Sequence, residues 1–216
     1  MTIEIAEEIV PKRPVAWAVD WPGWCRSGTS PELARAALVV AAPRYAIVAR
    51  TAGLGLPSMT DDDLQVVDTV DGGGGTEFGV PSSIIAHDRR PTTAAEADRL
   101  AGLVAAAWTV LDEVAARTPE VLRKGPRGGG RDRTKMLGHV LEADRAYARE
   151  IGVRFATPEV GDRPAVEATR AAVLAILREP SDGSGIAGRR WTQRYAARRI
   201  AWHALDHAWE MEDRTD

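Results

Sequence analysis

The sequence contains a single cysteine, Cys25, so no disulfide bond can form within the chain. The lack of disulfides is typical of a reducing compartment, and we expect the protein to be cytoplasmic. Long apolar runs are also missing: the longest, residues 36–42, is far too short to span a membrane. Residues 1–10 carry acidic side chains and do not form a basic, apolar signal sequence, which agrees with this expectation.

Lysine is scarce as well, and the chain is slightly acidic. Its net charge is −3, and nearly all of its positive charge comes from arginine. Binding to a phosphate backbone usually needs a basic surface, so nucleic acid is not expected as a partner. With 44% hydrophobic residues, the chain has enough apolar material for a core. We expect a small-molecule substrate and no membrane partner, and the sequence leaves a homodimer open.

The N-terminal part combines short apolar segments with one helical segment. Residues 2–9 and 14–20 are rich in Ile, Val and Trp, and a Pro-Lys-Arg-Pro turn separates them. This pattern predicts two antiparallel strands. We expect a third short strand within residues 20–28, and residues 64–70 have the composition of a fourth.

A helix is predicted to follow the third strand. Ser30 is a favoured N-cap residue, and Pro31 suits the first helical position. We expect the helix to run to about Thr51, so the elements follow the order β-β-β-α-β. By this pattern, its inward-facing positions include Leu33, Ala37, Val40 and Tyr45.

The N-terminal unit, residues 1–75, resembles the HicB-like fold, a small sheet with one helix. The residues that carry the resemblance lie in turns and caps: Asp20, Pro22, Gly23, Ser27, Gly28 and Thr29. In the HicB family this unit belongs to antitoxins that bind a small RNA-cleaving toxin. The resemblance therefore implies one class of function, a protein-binding module.

A glycine run at residues 71–75 marks the end of this unit. The Lys-Ser or Lys-Thr pair of a phosphate-binding loop does not follow it, so we interpret the run as a boundary. Residues 76–91 are expected to form an irregular linker. His87 lies there in a polar stretch, and we expect its side chain to be exposed.

Residues 92–216 have the pattern of four amphipathic helices. The first begins at a capping box formed by Thr93 and Glu96 and runs to about residue 117. The others are expected at about residues 132–151, 162–179 and 193–213, with a glycine-rich loop at 125–130 before the second. The predicted fold class is α+β, with the N-terminal unit packed on an up-down four-helix bundle.

The chain has four histidines, and three of them fall in these helical segments. His203 and His207 are four residues apart, so in a helix they lie on one face, one turn from each other. Such a pair can hold one divalent metal ion, although a buried pair satisfied by its neighbours is the commoner arrangement. If the helices are antiparallel, His139 can meet this pair and complete a three-histidine site with open coordination positions.

Two segments here resemble the DinB-like superfamily (DinB/YfiT) of four-helix-bundle metalloenzymes, which includes mycothiol- and bacillithiol-dependent transferases. The segments are Gly-His-Val-Leu-Glu-Ala at 138–143 and Ala-Trp-His-Ala-Leu-Asp-His-Ala-Trp-Glu at 201–210. Carried over by position, His139, His203 and His207 are the metal ligands. The resemblance implies a divalent metal (Zn, Ni, Mn or Fe) and a low-molecular-weight thiol, such as mycothiol, as cofactors.

The chemistry of such a site has three alternatives. A metal lowers the pKa of a bound thiol or of bound water, which gives a thiol transferase or a hydrolase; a protein-binding module with a structural metal is the third. Glu142 and Glu210 are candidates to orient a ligand imidazole or to act as a base. Arg199 is a candidate for binding an anionic substrate or a thiol carboxylate, or for pairing with Asp206 or Glu210. The family resemblance favours thiol transfer.

Overall fold

The computed structural model describes residues 2–56, 58–124 and 130–215. In these residues the chain forms six α-helices and one four-stranded sheet, so the protein is of the α+β class. The loop predicted at 125–130 falls outside the described residues, except for Gly130. Among the described helices, none has both the length and the apolar character that crossing a membrane requires.

The sheet is built from four strands in the order β3-β2-β1-β4. They are β1 (Ile3–Ile9), β2 (Val15–Ala18), β3 (Cys25–Ser27) and β4 (Leu64–Asp71). The predicted antiparallel pairing of the first two strands is confirmed, and β4 pairs with β1 in parallel. A parallel pair needs a long crossover connection, which the helical segment between β3 and β4 supplies.

The single helix predicted between β3 and β4 is in fact two helices. The first, α1, spans Pro31–Val40, and the second, α2, spans Ala42–Thr51. Pro43 causes the break, because a proline inside a helix removes a hydrogen bond and clashes with the preceding turn. It is accommodated in the first turn of α2, where its missing N–H is no loss.

The buried face of α1 also differs from the prediction. Leu33 and Val40 are 55% and 79% exposed, whereas Ala34 and Leu38 are fully buried. The inward face is set by Trp24, whose indole Nε1 donates a hydrogen bond to the backbone carbonyl of Leu38 at 2.9 Å. This tertiary contact rotates the helix by one residue relative to the apolar pattern.

The predicted helices of the C-terminal part are all present. They are α3 (Ala94–Arg117), α4 (Arg133–Glu150), α5 (Arg163–Leu177) and α6 (Gln193–Arg214). The capping box at the start of α3 is formed as predicted. Helix α6 packs against both α3 and α4, and α5 packs against α3, so α6 is central to this part of the chain.

One hydrophobic core joins the sheet unit to these helices. Its buried residues come from β1, β2 and all six described helices. Trp24 stacks on Tyr45 with 5.1 Å between the ring centroids. Beside them, Gly23 has a φ of +90°, and a Cβ there would come within 2.8 Å of the Leu205 side chain. Only glycine allows the turn after β2 to approach α6 this closely.

The segment between β4 and α3 is anchored to α6 by polar contacts. Arg198 donates to the backbone carbonyl of Ser83 at 2.9 Å and to the carboxylate of Asp88 at 2.6 Å. The prediction that His87 is exposed is wrong, because its side chain is only 8% exposed and lies 3.1 Å from the carboxylate of Asp20. The polar residues next to His87 suggested an exposed position, but the imidazole is buried against Asp20, which is distant in the sequence.

Candidate metal centre

Two helices bring three histidine side chains together. His203 and His207 project from α6 and are buried, and half-buried His139 faces them from α4. The imidazole centroids of His203 and His207 lie 4.7 Å apart, and that of His139 lies 5.0 and 5.1 Å from them. The predicted convergence of the three histidines is therefore confirmed.

The ligand nitrogens are spaced as a metal ion requires. All three residues offer a nitrogen within 4.8 Å of the others. The Nε2 atoms of His139 and His203 are 3.3 Å apart. Two nitrogens that each bind Zn²⁺ at about 2.0–2.1 Å in a tetrahedral arrangement lie roughly 3.3 Å apart. The three histidines thus lie close enough to hold one metal ion, and the first pair already has the separation of two ligands.

A carboxylate behind the cluster orients one of the imidazoles. His207 Nδ1 donates to Glu210 Oε2 at 2.9 Å, which leaves Nε2 unprotonated and free to bind a metal. This hydrogen bond is the main cause of the lowered pKa of Glu210, so its carboxylate stays ionised. The predicted orienting contact of Glu210 is therefore present in the structure.

Burial keeps the imidazoles of His139 and His203 neutral, which is the form that binds metals. Desolvation, followed by the neighbouring charges of His207 and His139, lowers the pKa of His203 to about 2. The pKa of His139 is also lowered, first by burial and then by the positive charge of Arg131. These two imidazoles therefore stay deprotonated at neutral pH.

The comparisons with known proteins add no family assignment. No family model, no curated protein and no solved structure matches this chain. Inferences about function therefore depend on the side chains of the site and on the two sequence resemblances.

Aromatic rings surround the inner part of the cluster. The rings of Tyr147 and Trp202 lie 5.6 and 5.9 Å from that of His203. His203 Nδ1 is buried without a hydrogen-bond partner in the described residues. Tyr147 is two helical turns after His139 on α4, so helical spacing alone could have identified it as a site residue. Arg131, which precedes α4, gave no such signal in the sequence.

Arg199 lies one turn before His203 on α6 and is only 7% exposed. Its Nη2 donates to the hydroxyl of Tyr147 at 3.1 Å, while Nε and Nη1 have no partner in the described residues. The acids considered as its partners are engaged elsewhere: Asp206 lies 4.0 Å from Arg26, and Glu210 binds His207.

Glu142 lies at the edge of the site. Its side chain is exposed, and its charge opposes the lowering of the His139 pKa. The structure thus brings the three histidines, Glu210 and Arg199 together and leaves Glu142 at the surface beside His139. Cys25 is buried, and desolvation raises its pKa to about 12, so it does not supply a reactive thiol to this centre.

Proposed function

We propose that the protein is a divalent-metal-dependent enzyme of the DinB-like superfamily that activates a low-molecular-weight thiol for transfer to an electrophile. The observation that supports this most directly is the ligand count. The histidine cluster contains three ligands, and in the described residues no fourth side chain joins it. Structural zinc sites are usually closed by four protein ligands, whereas catalytic sites use three and keep one position for water or substrate.

The proposed family also implies an arrangement of the helices and of the N-terminal unit. We propose that α3, α4, α5 and α6 form the up-down four-helix bundle of the DinB-like group and that residues 1–75 form the HicB-like unit. The contacts of α6 with α3 and α4 support this arrangement, since metal sites in such bundles are built from facing helices.

Each side chain then has a defined task. His139, His203 and His207 hold the ion, and the divalent ions considered for this ligand set are Zn²⁺, Ni²⁺, Mn²⁺ and Fe²⁺. An ion bound there would lower the pKa of a thiol that binds to it. Glu210 fixes the orientation of His207, and the exposed carboxylate of Glu142 accepts the thiol proton at the edge of the site. Because Cys25 is buried and protonated, the thiol comes from a small molecule, either mycothiol or another low-molecular-weight thiol.

The metal site is tested by elemental analysis of the protein purified without chelator. We expect about one divalent ion per chain in the wild type, as a three-ligand site implies, and much less in His203→Ala and His207→Ala. Equal metal content in all three proteins would remove the site from this account.

The thiol is tested by spectroscopic titration of the Co²⁺- or Ni²⁺-substituted protein with mycothiol, bacillithiol, glutathione and cysteine. A thiolate-to-metal charge-transfer band should appear with the preferred thiol and disappear in His139→Ala. If no thiol perturbs the spectrum while simple esters or amides are hydrolysed, the hydrolase alternative replaces thiol transfer. If neither occurs, a protein-binding module with a structural metal is favoured, and the turn around Asp20 becomes the place to search for a partner.

A further inference from the structure

Helix α6 buries three arginine side chains, and one of them differs from the others. Arg194 forms an ion pair with Glu96 at 3.0 Å, and Arg198 forms one with Asp88 at 2.6 Å. In the part of the chain that the structure describes, no carboxylate pairs with Arg199. The unpaired guanidinium is the one that lies a single turn from the metal-binding histidines.

An unpaired buried charge is unfavourable, because burial removes its hydration and nothing replaces it. The two faces of the Arg199 guanidinium are covered by rings, with centroids 5.3 Å away for Tyr147 and 4.8 Å away for Trp202. These cation–π contacts stabilise the faces but leave the N–H groups at the edge unsatisfied. Apart from the hydrogen bond to Tyr147, those donors have no acceptor in the described residues.

We propose that Arg199 binds a carboxylate of the small-molecule thiol, so that the site prefers thiols that carry a carboxylate, such as bacillithiol or glutathione, over mycothiol, whose cysteine carboxyl is part of an amide. A guanidinium edge presents parallel N–H groups that match the two oxygens of a carboxylate. This inference relies on the proposed function for the place of the sulfur, which is the metal at the three histidines. One helical turn, about 5–6 Å between Cβ atoms, separates Arg199 from His203, so a carboxylate bound to Arg199 lies near the metal ligands.

Tyr147 provides the hydrogen-bond acceptor that Arg199 has in the described residues. Its ring packs on both Arg199 and His203, and its side chain is only partly buried. A bound carboxylate takes the place of the tyrosine hydroxyl as the acceptor for Arg199. A Tyr147→Phe variant, which lacks only that hydroxyl, should keep the preference for carboxylates.

The test compares pairs of thiols that differ only in the carboxylate. Mercaptobutyrate and mercaptobutanol are titrated into the Co²⁺ protein, and the charge-transfer band gives the dissociation constants. The wild type should bind mercaptobutyrate about tenfold or more tightly, the effect expected for hydrogen bonds to a charged group. In Arg199→Met the two constants should become equal. The same preference in Arg199→Met and the wild type would overturn the inference.

A matched control separates specific binding from general attraction. Arg131 is an exposed cation near the same histidines. An Arg131→Met variant should reduce the preference for mercaptobutyrate only slightly, since charge at an exposed site is screened by salt. If this variant abolishes the preference as completely as Arg199→Met does, the attraction is not specific to Arg199 and the inference is wrong.

A second readout does not depend on a metal. Butyrate added to the chelator-treated protein should raise its melting temperature in the wild type and not in Arg199→Met. If the wild type fails to bind Co²⁺, the proposed function fails, and this measurement still decides whether Arg199 binds a carboxylate. A butyrate shift that is identical in both proteins, or absent from both, would contradict that role.

The stability of the ligand-free variants distinguishes binding from a structural role. Arg199→Met removes an unpaired buried charge and keeps an apolar side chain, so its melting temperature should stay the same or rise. Arg198→Met leaves the Asp88 carboxylate buried without its partner, so its melting temperature should fall clearly. An equal fall in Arg199→Met would show that Arg199 is held for the fold, and the inference would be overturned.

Discussion

Asp144 should make the stability of the protein fall as the pH rises. This residue of α4 is only 7% exposed, and burial raises its pKa from an ordinary 3.8 to about 7, against the opposing charge of Arg170. Its Oδ2 accepts a hydrogen bond from Trp108 Nε1 at 3.1 Å, whereas Oδ1 has no partner in the described residues. Between these two pKa values the folded protein keeps a proton that the unfolded chain has released. Raising the pH through 7 therefore favours unfolding.

The magnitude follows from the distance between the pH and the folded-state pKa. At about pH 5 Asp144 is protonated in the folded state and ionised in the unfolded chain. This pH lies about two units below the folded-state pKa, and each pH unit corresponds to about 1.4 kcal/mol of unfolding free energy. The free energy of unfolding should therefore fall by about 3 kcal/mol between pH 5 and pH 8 because of this group alone.

Asp144→Asn is the appropriate variant, since it removes the titration and keeps an oxygen that accepts from Trp108. Urea unfolding of both proteins at several pH values, with chelator present, gives the difference in their free energies of unfolding. The stability of the variant relative to the wild type should increase by about 3 kcal/mol between pH 5 and about pH 8. A difference that is constant over this range would show that Asp144 does not change its protonation, and the reasoning would be refuted.

The remaining predictions concern the metal and the shared core. Glu210→Gln should weaken Zn²⁺ binding by about tenfold or more, because His207 loses its charged acceptor, whereas Glu142→Gln should change the affinity little. Competition with a chromophoric chelator measures the affinity of both variants. Equal losses of affinity would contradict the orienting role of Glu210. Zn²⁺ at about 100 times its Kd should stabilise the wild-type fold by about 2.7 kcal/mol, whereas the His207→Ala variant should not be stabilised. If Zn²⁺ still raises the melting temperature of His207→Ala, the metal binds elsewhere. Residues 1–75 expressed alone should not melt cooperatively, since their core includes side chains of α3 and α6; a sharp melt in circular dichroism would contradict this.

Local signals account for the elements that the sequence predicted well. The capping box of Thr93 and Glu96 and the N-cap Ser30 act within one helical turn, so their effect can be identified without knowing the fold. The break between α1 and α2 was missed, although Pro43 carries a sufficient signal. The exposed positions Leu33 and Val40 were placed inward because the contact of Trp24 with α1 is not a local property.

The candidate site shows the same division between local and distant causes. The spacing of His203 and His207 is local, and it predicted correctly that they share one face. Their meeting with His139 depends on the packing of α4 against α6, which the sequence predicted only on the condition that the helices are antiparallel and which the family resemblance also implied. His87 was misjudged because its partner, Asp20, is separated from it by 67 positions in the sequence.

The burial of α6 gives a physical reason to connect its unsatisfied groups with function. Native proteins satisfy nearly all buried polar groups, so exceptions need an explanation. Arg194 and Arg198 show that α6 can bury arginines beside matched carboxylates. On the same helix, Arg199 lacks such a partner, and one turn later His203 Nδ1 is also unsatisfied. Apolar side chains at these positions would make a more stable helix, so retaining polar groups there is best explained by a metal ion and an anionic ligand that satisfy them when bound.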